Sequence, residues 1–167
     1  MNSDELRALQ TPIKQAYRNT PESALVTSRV QVRLEPASLA VQLVADRPAT
    51  AGLHPATGGT GSAACSADML LEALAACAGV TLLAVATASG VPVDGGWIIA
   101  EGVWDARGTL AVDKTVPVGI QRIKLFFELQ STAEPAARER LVRTAERYCV
   151  ILATLRAATP IEVQLNP

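Results

Sequence analysis

Cysteine is the residue type in this chain best equipped for chemistry, and the sequence has three of them, Cys65, Cys77 and Cys149. A thiolate is a nucleophile and a metal ligand, and it moves reversibly through sulfenic acid and disulfide states. Spacing narrows these uses. No CxxC pair occurs, and His54 is the single histidine, so a tetrahedral zinc site would lack good ligands. Nothing in the chain calls for a metal or other cofactor. Two readings of the thiols stay open from residue types alone: free cysteine is among the most buried side chains and can be inert core, or the thiols are redox-active.

The amino terminus, MNSDELRALQ, lacks the apolar stretch of a secretory signal, so a cytoplasmic location is expected. Thiols there are kept reduced, which argues against a structural disulfide framework. The 167 residues are 49% hydrophobic, enough for one core, and carry 15 Lys and Arg against 16 Asp and Glu for a net charge of −1. With no dense basic cluster, nucleic acid is not an expected partner.

The elements that must position the thiols follow from periodicity. Asp4 to Arg18 repeats Leu6, Leu9, Ile13 and Tyr17 at helical spacing, although Pro12 interrupts it. Leu25 to Leu34 alternates, with Val26, Val30, Val32 and Leu34 on one face and Thr27, Arg29, Gln31 and Arg33 on the other, a half-buried strand. A turn at Glu35 to Ser38 leads to a second strand, Leu39 to Ala45, as an antiparallel hairpin. Asp46 to Ala64 is rich in Pro, Gly and Thr and reads as a long loop. Ser66 caps a helix that runs to Ser89 and stops at Gly90. Strands are expected at Trp97 to Asp105 and Ile120 to Gln130. A further helix begins near Pro135, with Ala137, Leu141, Val142, Ala145, Tyr148, Cys149 and Leu152 as its apolar stripe, and a last strand covers Ile161 to Leu165.

The resulting fold class is α+β, with antiparallel sheet and a long central apolar helix. Met69 to Ala88 is about as long as a bilayer span, but it contains Glu72, and a helix apolar on most sides can be the centre of a water-soluble domain, so no membrane is expected as a partner. One small sheet cannot cover such a helix. A homodimer is expected to do so.

Two segments then resemble a known family. The run from Cys65 to Cys77 (CSADMLLEALAAC) resembles the N-P-x-x-L-L-x-A-L-A-x-C helix of the OsmC/Ohr family, and Ala145 to Val150 (AERYCV) resembles its A-x-x-x-C-P segment. With the strand order, the resemblance extends from Leu25 to Leu165. It implies an OsmC-like fold, an intertwined homodimer with the long helices at its centre, and a thiol-dependent peroxide reductase acting on organic hydroperoxides or hydrogen peroxide. Cys77 would attack the peroxide and Cys149 would resolve the sulfenic acid, with a dithiol reductant restoring both thiols. On this reading residues 23–167 form a single OsmC-like domain and residues 1–22 a helical extension.

The chain also departs from the family pattern. Ala67 stands where a glutamate is expected, Asp68 lies about half a turn out of phase with Cys77, and Val150 replaces the usual proline. Because a thiol in mid-helix gains nothing from the helix dipole, a cationic partner is expected near Cys77, with Arg29, Arg33 and Arg47 as candidates. Cys65, twelve residues and about 18 Å from Cys77 along one helix, cannot pair with it within that helix. His54 either walls the site or is an exposed loop histidine, and Glu72 suits a polar contact at a subunit interface. The alternative function is a non-catalytic OsmC-like protein that binds a hydrophobic small molecule or senses redox state.

Overall fold

A computed structural model describes residues 3–38, 40–43, 51–157 and 159–165. Its centre is the contact between one long helix and one sheet. β1 (Leu25–Glu35), β2 (Ala40–Leu43), β5 (Gly95–Asp105) and β6 (Arg122–Gln130) form a four-stranded sheet in the order β2-β1-β5-β6. All three pairings are antiparallel. The alternation read in β1 places Val32 and Leu34 inside and leaves Thr27, Arg29 and Arg33 exposed. β3 (Ala51–Gly52) and β4 (Ala64–Cys65) make a small parallel pair within the stretch read as loop, and much of the rest of that loop, including Arg47, lies outside the described residues.

α2 (Ser66–Ser89) buries Leu71, Leu74, Ala75, Ala78, Leu82 and Leu83 against the sheet and against α4 (Pro135–Tyr148). The approach to β5 is close: a Cβ on Gly102 would sit 3.0 Å from Leu71 Cδ1, so the helix rides on a position with no side chain. Gly90 ends α2 in the left-handed region, φ 67°, with its amide bonded back to Ala86 and Thr87, as its place after the apolar run predicts. At the other end the cap position falls on Cys65 and not Ser66, and the Cys65 side chain makes no capping bond. By length and composition α2 could cross a membrane, yet its inward face is the middle of the main core, while less than half of its most apolar stretch is buried.

α1 (Ser3–Asn19) is continuous through Pro12. It is tied to the loop after β3 by Tyr17, whose hydroxyl donates to the Ala56 carbonyl at 2.8 Å, and by Gln10, whose amide donates to the Thr57 carbonyl at 3.1 Å. Tyr17 also joins Ala24, Trp104, Ala106 and Leu110 in a second apolar cluster at the far end of β5. There Asp105 caps the short α3 (Ala106–Thr109) through the Arg107 amide and holds the Arg107 guanidinium at 2.6 Å.

Three further expectations are corrected. The helix expected to continue through Leu152 breaks at Cys149 (φ −71°, ψ 109°) and restarts as α5 (Val150–Arg156), which leaves Tyr148 on the surface and not on the buried stripe. β6 starts at Arg122, two residues later than expected. Ile161 to Leu165 is not a strand: it pairs with no other strand among the described residues, and Ile161, Val163 and Leu165 are 85%, 92% and 97% exposed.

Candidate active site

The break at Cys149 decides the chemistry. An unbroken helix would spend the amides of Val150 and Ile151 on carbonyls one turn earlier. Restarting at Val150 frees the first-turn N–H groups of α5. α5 packs against α2, and the Val150 and Ile151 amides act as hydrogen-bond donors to the Cys77 sulfur. The Thr81 hydroxyl, one turn on from Cys77 along α2, and the Cys149 thiol are donors to the same sulfur. The fold therefore brings Cys77 and Cys149 together, from residues 72 positions apart in the chain.

These contacts set the two thiols in opposite directions. Burial by itself pushes the Cys77 thiol up, but donation from the Ile151 amide, the Cys149 thiol, the Thr81 hydroxyl and the Val150 amide outweighs it and holds Cys77 below its ordinary range. Burial pushes the fully enclosed Cys149 thiol up, and accommodating a charge on the adjacent Cys77 sulfur pushes it further. Cys77 therefore ionises first and is half-exposed, while Cys149 remains a protonated donor beside it.

Among the described residues no guanidinium is one of the groups that lower Cys77; the Ile151 and Val150 amides, the Cys149 thiol and the Thr81 hydroxyl supply the stabilisation. Arg29 is engaged across the sheet with Glu101 at 3.3 Å. Arg33 lines a separate hollow with Asp94 and Trp97, and Arg47 lies outside the described residues. A 370 Å³ cleft has Leu74, Ile123, Leu125, Leu152 and Leu155 as apolar walls, with Arg122 and Arg156 also in its lining; Leu74 and Leu152 each lie three residues along the chain from one of the two cysteines, neither of which lines it. Arg156 also approaches Glu146 at 3.5 Å. Both arginines were missed in the sequence, Arg122 because it reads as the wet face of a strand, Arg156 because it lies past the unrecognised helix break.

Cys65 and His54 are brought together elsewhere, in a 410 Å³ pocket at the start of α2. Glu72 is half-buried on α2. Among the described residues no group of three His, Cys, Asp or Glu side chains is arranged to hold a metal ion.

Comparison with known proteins agrees with this architecture. No curated protein matches the chain significantly. The crystal structure of an OsmC-like hydroperoxide resistance protein from Jannaschia sp. superposes with a TM-score of 0.62 at 19% identity, over 86% of this chain and 95% of that one, which establishes a shared fold. The family described as OsmC-like protein matches residues 59–164, a span that contains both Cys77 and Cys149. Covered over more than half its length by that match, the chain belongs to the OsmC-like family.

Proposed function

We propose that this protein is a thiol-dependent peroxide reductase, acting on organic hydroperoxides and on hydrogen peroxide, with Cys77 as the attacking thiolate and Cys149 as the resolving thiol. The observation that carries the reading is the opposed tuning of two adjacent thiols, Cys77 lowered by donors and Cys149 raised by burial. A peroxide-related role at family level is supported by the neighbour's being a hydroperoxide resistance protein.

In the first step the Cys77 thiolate attacks one peroxide oxygen. The O–O bond breaks, the sulfur is oxidised to a sulfenic acid, and the departing alkoxide takes a proton and leaves as an alcohol, or as water from hydrogen peroxide. The amides of Val150 and Ile151 that hold the thiolate also orient its lone pairs. In the second step the Cys149 sulfur attacks the Cys77 sulfenic sulfur, releasing water and closing a disulfide. A dithiol then exchanges with that disulfide and is itself oxidised, returning both cysteines to thiols. The reducing cytoplasm is where we place this cycle. The 370 Å³ cleft reached by Leu74 and Leu152, with apolar walls and a polar rim, suits a small organic hydroperoxide.

We also infer that the working form is a homodimer. Met69 and Val80 are exposed on α2, and the Ile161, Val163 and Leu165 tail alternates like a strand but pairs with none among the described residues. A second copy covering the helix and receiving the tail at a sheet edge would satisfy both. Within it, residues 23–167 would be the OsmC-like domain and residues 1–22 its helical extension.

The test is peroxide consumption with dithiothreitol as reductant. Wild-type protein should turn over cumene hydroperoxide and Cys77→Ser should not, since an alcohol is a far weaker nucleophile and forms no sulfenic acid. If wild-type protein consumes neither cumene hydroperoxide nor hydrogen peroxide, the ligand-binding or redox-sensing reading replaces this one.

A further inference from the structure

The pocket at the start of α2 does not belong to the cysteine pair's chemistry, and its lining is one-sided. Among the described residues it collects hydrogen-bond donors and no acidic side chain. Trp104 forms part of its wall, is only 6% exposed, and has its Nε1 buried with no hydrogen-bond partner. An indole N–H can only donate, so a buried unpaired one carries a desolvation cost that an acceptor would remove. His54 packs against that indole in a T-shaped pair, with ring centroids 5.2 Å apart and planes at 84°. Its Nδ1 accepts from the Ala56 amide at 3.0 Å, which in the neutral ring leaves the proton on Nε2 and makes that nitrogen a second donor.

A third set of donors comes from the backbone. Ser66 and Ala67, in the first turn of the 24-residue α2, line the pocket, and the Cys65 side chain at the cap position makes no bond to the first-turn amides. A helix start of that length favours negative charge. Asp68 lies in the same turn and offsets part of that field, but it is not in the pocket wall. The rest of the wall, including Leu53, Leu70, Val118 and Ile120, is apolar.

We propose that this 410 Å³ pocket is a binding site for a small organic carboxylate, separate from the peroxide chemistry. The acid oxygens would meet Trp104 Nε1, His54 Nε2 and the α2 amides, and a short aliphatic or single-ring body would lie on Leu53, Leu70 and Ile120. A neutral apolar molecule would leave the indole N–H unpaired, and inorganic anions would leave the apolar wall wet, so a molecule with one anionic end and one apolar end fits best. Ile120 also lines the 370 Å³ cleft, so the two cavities share a wall residue. The Cys65 thiol, in the wall, is a built-in reporter of occupancy.

The experiment uses the full chain and a panel of acetate, hexanoate and benzoate, with hexanol and benzyl alcohol as uncharged counterparts. Tryptophan fluorescence is titrated, and alkylation of Cys65 by N-ethylmaleimide is followed by peptide mass. Hexanoate or benzoate should change the emission saturably and slow Cys65 alkylation, the matching alcohol should bind at least about tenfold more weakly, and Trp104→Phe should weaken carboxylate binding by about tenfold. Cys77→Ser should bind as wild type does, which separates this site from the peroxidase reading. Equal binding of alcohol and carboxylate, or no saturable effect of any panel member on wild-type protein, overturns the proposal without recourse to a variant.

Discussion

Replacing Val150 with proline removes one of the two backbone amides that hold the Cys77 thiolate, and the structure allows this to be done without breaking the fold. Val150 is the first residue of α5, where an amide has no partner inside the helix and where proline is favoured. The preceding residue, Cys149, already has the extended conformation that a following proline requires, with ψ 109°. A hydrogen bond to a charged group contributes about 1.5 to 3 kcal/mol, and the low end applies because Cys77 is half-exposed to solvent and Val150 is the weakest of its donors. At about 1.4 kcal/mol per pKa unit, the Cys77 thiol should rise by about one unit. The assay is the pH dependence of iodoacetamide reaction at Cys77, followed by peptide mass in a Cys65→Ser background. Well below the midpoint the variant should react about tenfold more slowly than its parent, with the two rates converging at alkaline pH. An unchanged or lowered midpoint would refute the claim that backbone amides activate this thiol.

Other consequences are open to simpler tests. Leu82 is fully buried between α2 and the sheet, so Leu82→Ala should cost about 2 to 5 kcal/mol in urea unfolding. The Arg107 guanidinium, bonded to Asp105, holds that carboxyl below the ordinary carboxylate range. A depressed folded-state value means the stabilisation is complete above about pH 5 and is lost as pH falls through the folded value, so the gap in urea midpoint between wild type and Asp105→Asn should be constant near neutrality and narrow toward about pH 3. A gap that does not narrow would contradict the pairing. Light scattering on dilute wild-type protein should give twice the 17.5 kDa chain mass, and deletion of residues 159–165 should shift it toward the monomer.

Periodicity carried most of the fold. β1, β5 and β6 and the limits of α2 could be read because alternation, or an unbroken apolar run stopped by Gly90, is a local property of the chain. Cys77 and Cys149 were legible as candidates from the motifs around them. Their mutual tuning was not, because it depends on the restart of the helix at Val150. The stretch from Pro135 to Arg156 keeps its apolar spacing across that break, and no glycine or proline marks it. The tail misled for the opposite reason. Ile161, Val163 and Leu165 alternate as a strand does, but pairing depends on a neighbour as well as on the segment, and among the described residues the tail has no strand partner. The carboxylate pocket was equally out of reach, since His54, Cys65 and Trp104 come from three separate elements and its telling feature is an indole N–H left without a partner.

The assignment of attack to Cys77 and resolution to Cys149 is tested most directly by trapping the first intermediate. Cys149→Ser protein, treated with one equivalent of cumene hydroperoxide in the presence of dimedone, should carry the dimedone adduct on the peptide containing Cys77, because the sulfenic acid forms there and its partner thiol is gone. An adduct on Cys65, or none on any cysteine while the hydroperoxide is consumed, would contradict the account.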